Sequence, residues 1–318
     1  IKPKLGFSLI LIIFYFYILF VMKFIKIFLT SLCLIITTVA NADVASQALN
    51  KVSEKISEYT IGLIPGEGYT ELDINLRENN SPEFSILGVR EILGFDNGNI
   101  FTQFSAFNHE RFNNKSSGNS NEEITINIGL GTRQLINDNK MLVGLNAFYD
   151  IDAFATHQRL SYGFEAKSAV LEFTANKYEG INSSGSEEFV LSGHDYKLSS
   201  QIPYLHWAKI SATGYVWDGQ DGRSDIEGSK YGTEMQLTKT FSLDVKYDDK
   251  DAEGLEDEYE ANLTFNWPPK EGATALDGIS STAWNSDKDM SEELLDKVDR
   301  NNKIVVQYNG TATISRAN

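Results

Sequence analysis

Along much of this chain, polar and apolar residues trade places at every step. In "EYEANLTFNW" (residues 258–267), Glu258, Glu260, Asn262, Thr264 and Asn266 alternate with Tyr259, Ala261, Leu263, Phe265 and Trp267. A period of two predicts a strand with one wet and one apolar face, because successive side chains leave opposite sides of the pleat. The same alternation sets Ile124, Ile126, Ile128 and Leu130 against Thr125, Asn127, Gly129 and Gly131. It sets Met141, Val143, Leu145, Ala147 and Tyr149 against Gly144, Asn146 and Asp150, and Leu243, Val245 and Tyr247 against Asp244 and Lys246. Twelve such segments are predicted, at 70–78, 83–94, 99–109, 122–136, 141–152, 158–167, 169–179, 188–202, 205–217, 230–239, 241–248 and 257–267.

The connectors carry independent information. "FDNG", "NDNK", "KS", "IPY" and Lys239-Thr240 are tight turns, and they alternate with longer polar connectors such as "ERFNNKSSGNSN", "EGINSSGSEE" and "DGQDGRSDIEGS". Sorting of loops by parity is expected of an outer-membrane barrel, with short periplasmic turns and larger external loops. A soluble β-sandwich gives no reason for it. The expected fold is therefore all-β: a twelve-stranded antiparallel transmembrane β-barrel over residues 70–267. In lipid such a sheet must close so that no backbone edge stays unpaired. Tyr259 and Trp267 are then aromatic girdle residues, while Glu260, Asn262, Thr264 and Asn266 line a wet lumen.

The chain has 318 residues and a formal net charge of −16, with a pI near 4.7. That balance excludes nucleic acid as a partner, since phosphate binding needs clustered Lys and Arg. Cys33 is the only cysteine, so neither an intrachain disulfide nor a thiolate zinc cluster can form. Residues 22–42, "MKFIKIFLTSLCLIITTVANA", have a basic start, an apolar middle and a small-residue Ala40-Asn41-Ala42 site. They read as a signal peptide cleaved before Asp43, and residues 1–21 as untranslated sequence upstream of the true start. One or two membrane-spanning helices are the alternative for this region. Removing residues 1–42 leaves 24 basic against 44 acidic residues, a net charge of −20. Beyond Ala42 no stretch approaches the ~20 apolar residues of a spanning helix. Residues 43–69 are expected to form a periplasmic N-terminal segment. Leu49, Val52, Ile56 and Tyr59 make a helical stripe within it.

Candidate chemistry is sparse. "SGHDY" brings Ser192, His194 and Asp195 together, but Asp195 falls on the opposite strand face and no nucleophile elbow accompanies it. His109, His157 and His206 lie singly, on or near loops. The acidic run 248–258 lacks the spaced ligands and turn glycine of a calcium loop. No catalytic, cofactor or metal set is predicted, and the chain does not read as an enzyme.

Residues 127–180 resemble the β-domain of intimin and invasin, the inverse autotransporters. The resemblance rests on Gly129-x-Gly131-x-Arg133, Asn137-Asp138-Asn139, Asn146-x-Phe148-Tyr149-Asp150 and Arg159-Leu160. It continues through Gly163, Glu165-Ala166 and the strand bearing Leu171, Ala175, Asn176 and Tyr178, and "LLDKVDRNNKIVVQY" (294–308) looks like that family's linker. The family implies a twelve-stranded barrel in the Gram-negative outer membrane that passes a C-terminal, adhesin-like passenger to the cell surface. Outer-membrane lipid, the barrel-assembly machinery and periplasmic chaperones are the implied partners, and no cofactor is implied. Within 268–318, residues 290–300 have the spacing of a short pore helix, capped by Ser291 or by Asp289. Glu293, Asp296 and Arg300 suit a hydrated lumen, and polar contacts to lumen side chains such as Arg133 are expected to hold the helix there. The passenger itself is absent, because the sequence stops at Asn318, so an incomplete reading frame or a stand-alone barrel is expected. A general porin is the rival function.

Overall fold

The computed structural model describes residues 68–77, 82–111, 121–153, 157–182, 188–251 and 256–308. The signal-peptide residues Ala40 and Ala42, the cleavage residue Asp43 and the helical stripe of 43–60 lie outside the described residues.

Twelve strands close into an antiparallel barrel. They are β1 Gly68–Arg77, β2 Glu83–Phe95, β3 Gly98–Arg111, β4 Asn121–Ile136, β5 Met141–Asp152, β6 Gln158–Ser168 and β7 Leu171–Asn182. After β8 (Glu188–Val190), which stands outside the barrel, come β9 Gly193–Ile202, β10 Leu205–Trp217, β11 Ile226–Gln236, β12 Phe241–Asp251 and β13 Glu258–Trp267. Closure is made by β1 on β13, in register from Thr70↔Trp267 to Arg77↔Glu260. Every barrel strand thus has two neighbours, as a sheet in hydrocarbon requires.

Two expected segments are corrected. Residues 188–202 do not form one strand: Leu191 turns its N–H to the carbonyl of Val305, which breaks the run into β8 and β9. The segment expected at 230–239 begins earlier and stops at Gln236, because the N–H groups of Leu237 and Thr238 both fold back onto the Phe241 carbonyl.

Five tight turns gather at one end of the barrel. The turn between β4 and β5 holds Asn137, Asp138 and Asn139 at φ of 55°, 52° and 62°. Asn and Asp tolerate this left-handed region far better than branched residues do, which explains their choice here.

The alternation sorts faces as expected. On β5, Leu142, Gly144, Asn146, Phe148, Asp150 and Asp152 are buried toward the lumen while their neighbours face out. Ile128, Leu130 and Leu145 are 56%, 58% and 60% exposed. A continuous apolar band of that exposure suits hydrocarbon and not water. Tyr231, Tyr247 and Tyr259 stand side by side across β11, β12 and β13, with the Tyr247 and Tyr259 rings 5.0 Å apart. Trp267 leaves the same face at the opposite end of β13.

Candidate functional site: the filled lumen

After β13 the chain does not leave the barrel end. Lys270 N–H bonds to the Lys239 carbonyl, and residues 278–285 run along the β9–β10 turn. There Tyr204 and Ala283 share a backbone bond, and the Trp207 indole donates to the Gly278 carbonyl at 2.8 Å. The chain then reaches the β4–β5 turn, where Met290 N–H meets the Asn139 carbonyl, and enters the lumen.

The expected helix over 290–300 is much shorter. It is a single 3-10 turn, Met290–Glu293, and Asp289 rather than Ser291 caps it, accepting the Ser291 N–H at 2.9 Å. That bond holds the Asp289 carboxyl below the ordinary carboxylate range. Beyond the turn the main chain bonds to the wall. Arg133 donates to the carbonyls of Glu293, Leu294 and Asp296 at 3.3, 3.0 and 2.5 Å, and Asn99 donates to that of Leu294 at 3.1 Å. The Leu294 carbonyl thus takes two wall donors, and the Val298 N–H that a continuing helix would bring to it turns to Gln103 instead.

The rest of the segment climbs the wall formed by β3 to β7. Val298 donates its N–H to Gln103 at 2.8 Å, and Asn176 donates to the Asp299 carbonyl at 3.1 Å. The Arg300 side chain is fully buried and grips Asp150 through both terminal nitrogens. Arg159, on the other side of Asp150, donates to the carbonyls of Asn301 and Lys303, each at 2.7 Å. The Lys303 ammonium reaches both oxygens of Glu83 at 2.5 and 2.6 Å. At the long-loop end Val306–Tyr308 forms β14, which pairs antiparallel with β8.

Apolar contacts hold the segment as well. Met290 packs on Leu135 and Leu142 with Leu294 alongside. Val298 is buried among Tyr69, Leu87, Val89, Phe101 and Phe148. Val305 joins Tyr178, Leu191, Tyr215, Trp217 and Ile226.

This geometry gives the Gly-x-Gly-x-Arg pattern a physical meaning. A Cβ on Gly129 would stand 2.3 Å from the Phe148 ring, and one on Gly131 would stand 2.3 Å from Phe101. The two glycines let those rings lie flat on the wall, where they serve as platforms. The Arg133 guanidinium sits 4.5 Å from the Phe101 centroid, and that of Arg300 sits 4.3 Å from Phe148. Gly163 plays a related part, leaving space for the amides of Asn146 and Asn176. Glu165 fixes Arg133 from the side, accepting at 2.6 and 3.2 Å. Among the quoted pattern residues, Tyr149 and Leu160 face outward and belong to the lipid face.

Side-chain contacts missed in the sequence include Glu83, Asn99, Gln103, Asn127 and Asn176. Their inward parity was legible; the segment they touch lies more than a hundred residues away in the chain. The buried His157 ring was also unforeseen. It lies between Asp152 and Glu188, at 3.3 and 2.9 Å, and so links β5 to β8. His194 instead faces outward against Tyr196, away from Asp195.

The segment does not fill the whole lumen. A cavity of about 310 Å³ remains on its far side, where Asp73, Lys209, Lys230, Glu234, Asp244 and Lys246 bring mixed charge.

Residues 33–302 match the family described as "Inverse autotransporter, beta-domain". Among solved structures, a chain from work on the in-meso crystallization of membrane proteins superposes with a TM-score of 0.59 at 17% identity, covering 76% of this chain and 100% of that one. The KdgM porin gives 0.42 at 8% identity, over 62% and 98% of the two chains. Outer membrane phospholipase A from Escherichia coli gives 0.39 at 12%, over 64% and 97%. The first of these supports the barrel fold and nothing finer.

Proposed function

Since this chain belongs to the inverse autotransporter β-domain family, whose members are outer-membrane translocators and anchors and not enzymes, we infer that its barrel displays a C-terminal passenger at the cell surface. The observation that carries the reading is the path of residues 268–308. They leave β13 at the tight-turn end, cross the lumen and pair with β8 at the long-loop end. In an outer-membrane barrel the tight turns face the periplasm and the long loops face outward. Anything joined beyond residue 308 is thereby delivered outside. Export begins with the signal peptide of residues 22–42, and the barrel-assembly machinery and periplasmic chaperones bring the barrel into the membrane. A lumen partly occupied by the segment from Met290 to Val305 speaks against an open porin.

The test is a fusion. An epitope-tagged immunoglobulin-like domain joined after Asn318 is to become accessible to antibody and to added protease on intact cells. A fusion found only in the periplasm, with the barrel itself folded in the outer membrane, rejects the reading.

A further inference from the structure

The wall reads the main chain of the segment that crosses it. Between Glu293 and Lys303, seven carbonyls accept hydrogen bonds from wall side chains: those of Glu293, Leu294, Asp296, Asp299, Asn301, Asn302 and Lys303. The donors are Asn99, Asn127, Arg133, Arg159 and Asn176, from β3, β4, β6 and β7. Two N–H groups are received as well, that of Val298 by Gln103 and that of Asn301 by the Tyr178 hydroxyl at 2.7 Å.

These wall groups are also held by partners within the wall itself. Glu165 and the Phe101 ring fix Arg133, and Asp150 and the Tyr178 ring fix Arg159. Asn127 is braced by Ser105 and Asp150, and Asn176 by Asp195. Donors held in place lose little freedom on binding, so their hydrogen bonds act at small entropic cost. A carbonyl recurs at every residue of any polypeptide, and an N–H at every residue but proline. Those contacts do not depend on which side chains the passing segment carries.

We propose that the β3–β7 wall is a binding track for the main chain of an extended polypeptide, indifferent to its side chains, and that it serves a chain in transit as well as the resting linker. The ligand class is any unfolded peptide backbone, and the transit half of the proposal rests on the translocator reading above. The side-chain pairs Arg300–Asp150 and Lys303–Glu83 then mark where this particular linker comes to rest.

The test uses the mature chain from Asp43, which carries no cysteine of its own, in liposomes, with Val298→Cys as the reporter, which a water-soluble thiol reagent reaches only when the linker leaves the wall. Asp296→Ser, Asn301→Ser and Asn302→Ser together change side chains whose carbonyls the wall binds. This triple variant is expected to label within about threefold of its parent. Arg133→Lys with Arg159→Lys keeps the charge and loses the forked donor, and is expected to label at least tenfold faster. Equal acceleration in both variants overturns the proposal, because side chains would then hold the linker. Acceleration in neither also overturns it, because the track would hold nothing. Heat-modifiable gel mobility reports folding; if the arginine variant fails it, Asn127→Ala with Asn176→Ala takes its place under the same criterion. For transit, the tagged fusion carrying the arginine substitutions is expected to appear at the surface about tenfold more slowly. Unchanged display overturns that half. A fusion that never reaches the surface even with wild-type arginines rejects the translocator reading while leaving the labelling result to stand.

Discussion

Arg300 and Asp150 meet in a two-pronged ion pair at 3.0 and 2.6 Å, with both side chains fully buried inside the barrel. Arg159 leans on the same carboxylate at 2.9 Å. One acidic group on β5 thus ties the crossing segment to the wall and steadies the arginine that binds its carbonyls. Removing one partner of a buried pair leaves an uncompensated charge, at a cost of about 3–5 kcal/mol. Asp150→Ala is expected to lose at least that much in urea titration of the barrel in liposomes. A loss below about 1 kcal/mol, as for a solvent-exposed pair, would mean that water reaches this site freely.

Gly131→Ala puts a methyl group 2.3 Å from the Phe101 ring and must push that platform away from Arg133. Overpacking of this kind costs about 1–3 kcal/mol. Adding Phe101→Leu is expected to recover part of the loss, and a double-mutant cycle in the same titration measures it. Strictly additive penalties would place the strain elsewhere.

Leu145 lies on the outward face at 60% exposure, whereas Asn262 faces the lumen beside Asp73 and opposite Asp244. Leu145→Lys is expected to destabilise the barrel by ~2–4 kcal/mol if it sits near the bilayer midplane. Asn262→Lys should cost little, since it gains two acidic neighbours and stays in the polar lumen. Equal penalties would contradict the assigned faces.

Deletion of residues 288–318 removes the material that fills the β3–β7 side of the pore. A twelve-stranded barrel is wider than its own side chains can fill. Single-channel conductance in planar bilayers is expected to rise, with heat-modifiable mobility retained. Unchanged conductance would mean that the segment does not occupy the pore in the membrane.

Processing before Asp43 predicts that N-terminal sequencing of the protein extracted from outer membranes reads Asp-Val-Ala-Ser-Gln. A mature species that still begins at Met22 would refute the assigned cleavage.

The sequence alone determined which side chains face lipid and which face the lumen. A strand's period is two, and a one-residue slip would send every apolar side chain to the wrong solvent. It also determined the strand number and the sorting of turns, because tight turns need residues such as Asn137, Asp138 and Asn139 whatever lies around them. Arg133 was legible as an inward-facing residue; that it binds main-chain carbonyls of the crossing segment was not.

Only the tertiary structure decided what the tail does inside. The spacing of 290–300 is helical, yet the helix is one turn long: Arg133 and Asn99 both take the Leu294 carbonyl, and the Val298 N–H goes to Gln103 on the wall. The split of 188–202 has the same kind of cause, a distant carbonyl at Val305 taking the N–H of Leu191. Local periodicity records which face a residue prefers. It does not record competition for backbone hydrogen bonds from groups far away in sequence, and closing the barrel is what brings those groups within reach.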